Sequence, residues 1–122
     1  MNKCDLEQRT KVFALQAIRF VSELPRSKAL DVIGQQLLKS ATSIGANYRE
    51  ANRAESRADF IHKIAIVEKE AAETEYWLEL CRETNLGDAK ECSWLLQEAD
   101  ELIPIFTSIG KRTKLGATKS VR

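Results

Sequence analysis

From Phe60 to Cys81, the residues Phe60, Ile64, Val67, Ala71, Thr74, Leu78 and Cys81 recur with spacings of 4-3-4-3-4-3 and no slip. An α-helix turns once every 3.6 residues or so, so this spacing keeps one face turned inward along its whole length. A strand, whose side chains alternate with period two, cannot satisfy it. Over about 25 residues the pattern requires a rod of roughly 38 Å. Such a rod must lie against neighbours of comparable length, crossing them at the shallow angle of coiled-coil-like packing.

The rest of the chain supplies those neighbours. A first helix is expected to start at Asp5, which caps it while Gln8 reaches back, with Leu6, Phe13, Ala17, Phe20 and Leu24 inward. Pro25 ends it, because proline disfavours helical geometry in the residue before it. Ser27 then caps a second helix with two stripes. One is Leu30, Ile33, Leu37, Ser40, Ile44, Asn47, Ala51; the other is Gly34, Leu38, Ala41, Gly45, Tyr48. Two stripes imply contact from two sides, and the small residues of the second allow close approach. Each interior glycine costs about 1 kcal/mol relative to alanine, which close packing would offset.

Ser56-x-x-Asp59 reads as a capping box opening the third helix, with Gly87 as its left-handed C-cap. Asp88-x-x-Glu91 opens a fourth, carrying Leu95, Ala99, Leu102, Phe106 and Ile109. Pro104 is expected to kink it and Gly110 to close it. With only five Gly and two Pro in 122 residues, there is little punctuation for a many-stranded protein. The expected fold is all-α: an antiparallel, up-down four-helix bundle over residues 1–110 with short connections, followed by a basic, flexible tail over 111–122.

The polar residues between these stripes are more particular. Gln36-Leu37-Leu38-Lys39-Ser40 is followed by Ser43-Ile44-x-x-Asn47-x-x-Glu50-Ala51, then by Ser56-x-x-Asp59-Phe60-Ile61-x-Lys63. Glu70-Ala71-x-Glu73-Thr74-x-x-Trp77-Leu78 completes the set. In order and spacing these resemble the four-helix-bundle proteins named for reading frames inside intervening sequences of bacterial 23S ribosomal RNA genes. The likeness spans most of residues 10–110. The resemblance implies a bacterial homo-oligomer, with rings of five suggested by relatives. Related bundles, the accessory variability determinants, assist reverse transcriptases of diversity-generating retroelements and use a basic surface for nucleic acid.

Charge separates this chain from those basic relatives. Residues 1–57 carry a net +4, residues 58–110 a net −8, and residues 111–122 a net +5. Without the tail the balance is −4. Such asymmetry suits a directional binding surface or pairing between subunits.

Ser43, Asn47 and Glu50 share one face of the second helix. If the second and third helices fold back around Ser56, Glu50 comes level with His62 or Lys63, Asn47 with Ala65, and Ser43 with Lys69. A polar network of Ser43, Asn47, Glu50, Ser56, Asp59 and Lys63 is therefore expected to fix the register of the two helices. The functional alternative is a ligand site lined by Asn47 and Glu50.

Reaction centres are harder to assemble. A di-iron bundle needs two Glu-x-x-His pairs and two further carboxylates. Here there is one histidine, His62, and Asp59 before it is occupied as a cap. Cys81 falls on the apolar stripe, where an inert thiol is expected. Cys4, Cys81 and Cys92 form no CxxC pair, and no glycine-rich phosphate loop is present. Trp77 and Trp94 read as core or interface residues.

The expectations are thus a non-enzymatic interaction or accessory module, cytoplasmic and without a membrane span, cofactor, metal or small-molecule substrate. Its first partner is itself, with a pentamer as the suggested number, and its second is another protein or RNA. The alternative is a structured-RNA-binding protein using Lys39, Arg49, Arg53, Arg57 and the tail residues Lys111, Arg112, Lys114, Lys119 and Arg122.

Overall fold

A computed structural model describes the backbone of residues 1–121 and the side chains of residues 1–116. Four helices run α1 (Lys3–Ser22), α2 (Lys28–Ala51), α3 (Arg57–Glu83) and α4 (Ala89–Val121), and no strand occurs among the described residues. None of the helices is long and apolar enough to cross a membrane, within the described residues. Each helix packs on its sequence neighbour, and α1 also meets α4.

One continuous core joins all four, with Phe13, Phe20, Leu37, Ile44, Ile64, Leu78, Leu95 and Phe106 fully buried. On α3 the stripe that opened the sequence is buried from Ile64 to Cys81, and Phe60 packs on its edge. α2 is contacted from two sides, with Ser40 of the first stripe meeting Thr74 on α3 and Gly34 and Gly45 of the second lying against Val21 and Thr10 of α1. Gly45 shows why the second stripe is small. A Cβ there would lie 3.1 Å from Thr10 Oγ1 on α1.

The helix starts at Ser27, Ser56 and Asp88 stand where the sequence placed them. Their side-chain oxygens accept from Leu30 N at 3.0 Å, Asp59 N at 3.0 Å and Glu91 N at 2.9 Å. Three terminal assignments change. α1 begins earlier, because Asn2 is its cap. Asn2 Oδ1 accepts from Asp5 N at 2.8 Å and Asp5 Oδ2 accepts from Asn2 N at 3.2 Å, so Asp5 is the far side of the capping box.

The third helix ends in a Schellman turn whose left-handed residue is Asn85 (φ 56°), not Gly87. Leu86 N donates to Cys81 O at 3.0 Å and Asn85 N to Arg82 O at 3.1 Å, the two bonds that define that motif. Gly87 (φ 84°) has a different task. A Cβ there would sit 2.7 Å from the Phe20 ring and 2.9 Å from Leu24, so glycine lets the connection lie flat on the end of α1.

Nor does α4 stop at Gly110. It runs through Pro104 and Gly110 to Val121, so residues 111–121 extend a helix instead of forming a separate tail. Gly110 is a point of close approach, since a Cβ would lie 2.8 Å from Glu68 Oε1. Lys111, Arg112, Lys114 and Leu115 are good helix formers, and cations suit the negative end of a helix. Arg122 and the side chain of Lys119 lie outside the described residues.

Candidate functional site: polar locks and charged grooves

The polar ladder of α2 does not form one network. Ser43 Oγ donates to Lys39 O at 2.7 Å, and Asn47 Nδ2 donates to Ser43 O at 2.8 Å, both within α2. Only Glu50 reaches across, accepting from Lys63 Nζ at 3.1 Å on the α3 surface. Asn47 turns back because a carbonyl of the preceding turn lies within reach of its amide. Ser56 caps α3 by accepting from the Asp59 backbone N–H, and His62 is exposed.

The buried polar link between α2 and α3 lies two turns away from Asn47. Ser40 and Thr74 are both fully buried, and Thr74 Oγ1 donates to Ser40 Oγ at 2.9 Å. Each hydroxyl also lies within reach of a carbonyl of its own helix, Ser40 of Leu37 O at 3.2 Å and Thr74 of Glu70 O at 2.7 Å, so the single Thr74 proton is shared between Ser40 Oγ and Glu70 O. Both residues stand in the apolar stripes of the sequence. A hydroxyl recurring at such positions on both helices was the signal available for this pair.

A second lock joins α1 to α4. Arg9 donates through Nε to Glu98 Oε2 at 2.7 Å and through Nη2 to Glu98 Oε1 at 2.9 Å. Nη2 also reaches Glu101 Oε1 at 3.0 Å. The hydrogen bond to Glu98 raises the Arg9 pKa, while Gln97 and then Arg9 hold the Glu101 carboxyl below its usual range. Residues so distant in sequence leave no local trace of their pairing. On the α1–α2 side, Asn52 Nδ2 donates to Glu7 Oε2 at 2.9 Å.

The thiols offer no nucleophile in the interior. Cys81 is buried, and burial pushes its pKa up to about 11. Cys92, also buried and shifted upward by burial, donates to Leu78 O at 3.5 Å. Cys4 is exposed. No group of His, Cys, Asp and Glu with metal-binding spacing occurs among the described residues. Trp77 packs on the core and meets Tyr76 edge to face at 5.1 Å, whereas Trp94 stands at the surface.

The surface is where charge is organised. Between α3 and α4 a groove is lined by Glu75, Glu79 and Asp100, with Arg82 on its rim. Partial burial, then the Asp100 charge, holds the Glu75 carboxyl above its usual range. At the other end of α4, Arg57 and Arg112 line one cleft with Thr113 and Gly116. Lys111, Arg112 and Leu115 border another with Pro104. Arg49, Arg53 and Lys114 are exposed. Lys39, also exposed, lies close enough to Glu70 to lower that carboxyl's pKa against the larger upward effect of burial. The basic residues singled out in the sequence are therefore divided, with Lys39 beside an acid on α3 and Arg57 and Arg112 brought together.

Relatives of known structure and sequence fit this architecture. A protein of unknown function from the S23 ribosomal protein family of Bacteroides thetaiotaomicron superposes with a TM-score of 0.82 at 38% identity. The match covers 91% of this chain and 99% of that one. No curated protein matches the sequence. The profile of the 23S rRNA-intervening sequence proteins matches residues 2–108, the whole of the packed core from the cap of α1 to the middle of α4. This chain belongs to the 23S rRNA-intervening sequence protein family.

Proposed function

We propose that this protein is a non-enzymatic, self-associating helical module that works through its outer surfaces. In this reading the four helices form an antiparallel up-down bundle. The cross-helix pairs support it: Ser40 with Thr74 and Glu50 with Lys63 converge on the turn at Ser56, as two helices folded back on each other require. The polar residues inside then have structural tasks, and function falls to the exterior.

One observation carries the self-association. On the face of α1 opposite the core, Val12, Leu15 and Ile18 form an apolar ridge, 37%, 54% and 43% exposed. Scattered exposed apolar residues are ordinary, but three at successive i+3 positions make a continuous strip that a second copy would cover. Chain mass by light scattering tests this: a stable multiple of the single chain is expected, with the ring of five as the suggested number. Leu15→Glu should reduce that multiple while leaving helical content intact. A wild-type protein that stays a single chain at high concentration refutes the reading.

A second reading, binding of structured RNA, is favoured by the cleft shared by Arg57 and Arg112 at the extended end of α4. It predicts RNA retention that weakens steeply with salt as phosphate counterions are released. Retention unaffected by Arg112→Ala would remove it.

A further inference from the structure

The exposed residues Gln97, Asp100, Pro104, Ser108, Lys111 and Leu115 follow one another along α4 at spacings of three or four and form a single outward stripe. The stripe changes sign along its length. Toward its beginning, Asp100 is joined across the α3–α4 groove by Glu75 and Glu79, opposed there by Arg82 alone. Toward its end, Lys111 and Arg112 flank the exposed Leu115 in a groove that reaches back to Pro104. Between the two lie Pro104 and Ser108, which are short.

Within one chain the two patches stay apart. Asp100 and Arg112 stand on the same helix, and the twelve helical steps from one to the other hold them roughly 18 Å apart. That exceeds the screening length of about 8 Å at physiological salt, so the acids gain little from Lys111 and Arg112 of their own chain. Within the patch, burial and then the charges of Asp100 and Glu79 raise the Glu75 carboxyl's pKa.

We propose that a second copy of this chain lies antiparallel along the stripe, its Lys111 and Arg112 entering the groove of Glu75, Glu79 and Asp100. The same contact is then made in reverse, as two-fold symmetry demands. The axis passes between Pro104 and Ser108, where short side chains let the two helices approach. Leu115 of each copy is covered near Gln97 of the other. A parallel arrangement would set acid against acid and base against base, so charge order selects the antiparallel one. This inference rests on the self-association proposed above and adds a contact separate from the α1 ridge.

The experiment is a charge swap on the full chain, followed by sedimentation velocity over a concentration series. One variant reverses the basic end (Lys111→Glu with Arg112→Glu) and the other the acidic end (Glu79→Lys with Asp100→Lys). All four positions lie on the surface or groove edge, and circular dichroism checks that each variant remains helical. Each variant alone should associate at least tenfold more weakly through this contact. An equimolar mixture should recover it, because one chain is then acidic at both ends of the stripe and the other basic. Carrying all four substitutions in one chain should recover it too. If the wild type assembles but neither reversal weakens assembly, the contact is wrong and self-association stands. If reversal weakens assembly and mixing fails to recover it, the pairing is also wrong. If wild type and mixture remain single chains throughout, both proposals fall.

Discussion

Which polar pair holds α2 and α3 in register is decided by a double-mutant cycle. The perturbations are Ser40→Ala, Thr74→Val and the two combined. Valine is close in shape to threonine, so the cavity left is small. In Thr74→Val, Ser40 donates to Leu37 O at 3.2 Å, and in Ser40→Ala the single Thr74 proton goes wholly to Glu70 O at 2.7 Å. No buried donor is orphaned in either single variant. Each should therefore lose about the net worth of one buried neutral hydrogen bond, ~1 kcal/mol. Because the cross-helix bond is lost once, the double variant should cost less than the sum, leaving a coupling of about 1 kcal/mol. The helix-propensity gain of alanine over serine, a few tenths of a kcal/mol, cancels in the cycle.

The comparison is the Glu50–Lys63 pair, whose side chains are 58% and 26% exposed. Its cycle with Glu50→Ala and Lys63→Ala should give about 0–0.5 kcal/mol, falling further with salt. Urea denaturation followed by circular dichroism measures both cycles. It is run at two protein concentrations, since association would add to the apparent stability. A coupling at Glu50–Lys63 equal to or above that at Ser40–Thr74 would refute the assignment of register to the buried hydroxyls.

Two further outcomes test the connection between α3 and α4 and the state of the thiols. Gly87→Ala should destabilise the fold by about 2–4 kcal/mol, from a left-handed backbone and a Cβ pressed against the Phe20 ring; an unchanged urea midpoint would show that the ring moves aside freely. In the native protein near neutral pH a thiol reagent should label Cys4 promptly, leaving Cys81 and Cys92 until unfolding, because both are buried and their pKa values are raised. Three thiols reacting at one fast rate would contradict that burial.

The local parts of this protein are written in short stretches of sequence. The stripe from Ile64 to Cys81 turns inward along its whole length, because a slip-free 4-3 spacing leaves a helix no other face to bury. Ser27, Ser56 and Asp88 announce helix starts, because a short side-chain oxygen next to a run of free backbone N–H groups has an obvious task. The small residues at Gly34, Ala41 and Gly45 foretold a helix pressed close, and α1 is that helix. Reading went astray where two local signals competed. Asn85 and Gly87 both suit a left-handed position, and only the packing of Phe20 assigns the glycine to the second. Gly110 looked like a stop, yet it lies where α4 passes Glu68, and a helix with good formers on both sides continues through it.

By itself, then, the sequence determined the helices, their inward faces and most of their starts, because these depend on residues within one or two turns of each other. The tertiary structure alone decided which polar groups meet. Arg9 finds Glu98 on α4, Thr74 finds Ser40, and Asn47, expected to reach across, turns back on its own helix. It also decided how α4 carries its charge, with Glu75 and Glu79 set beside Asp100 and Arg57 beside Arg112. Such pairings join residues distant along the chain, and they exist only once burial of the apolar stripes has fixed the distance and rotation of each helix against the next.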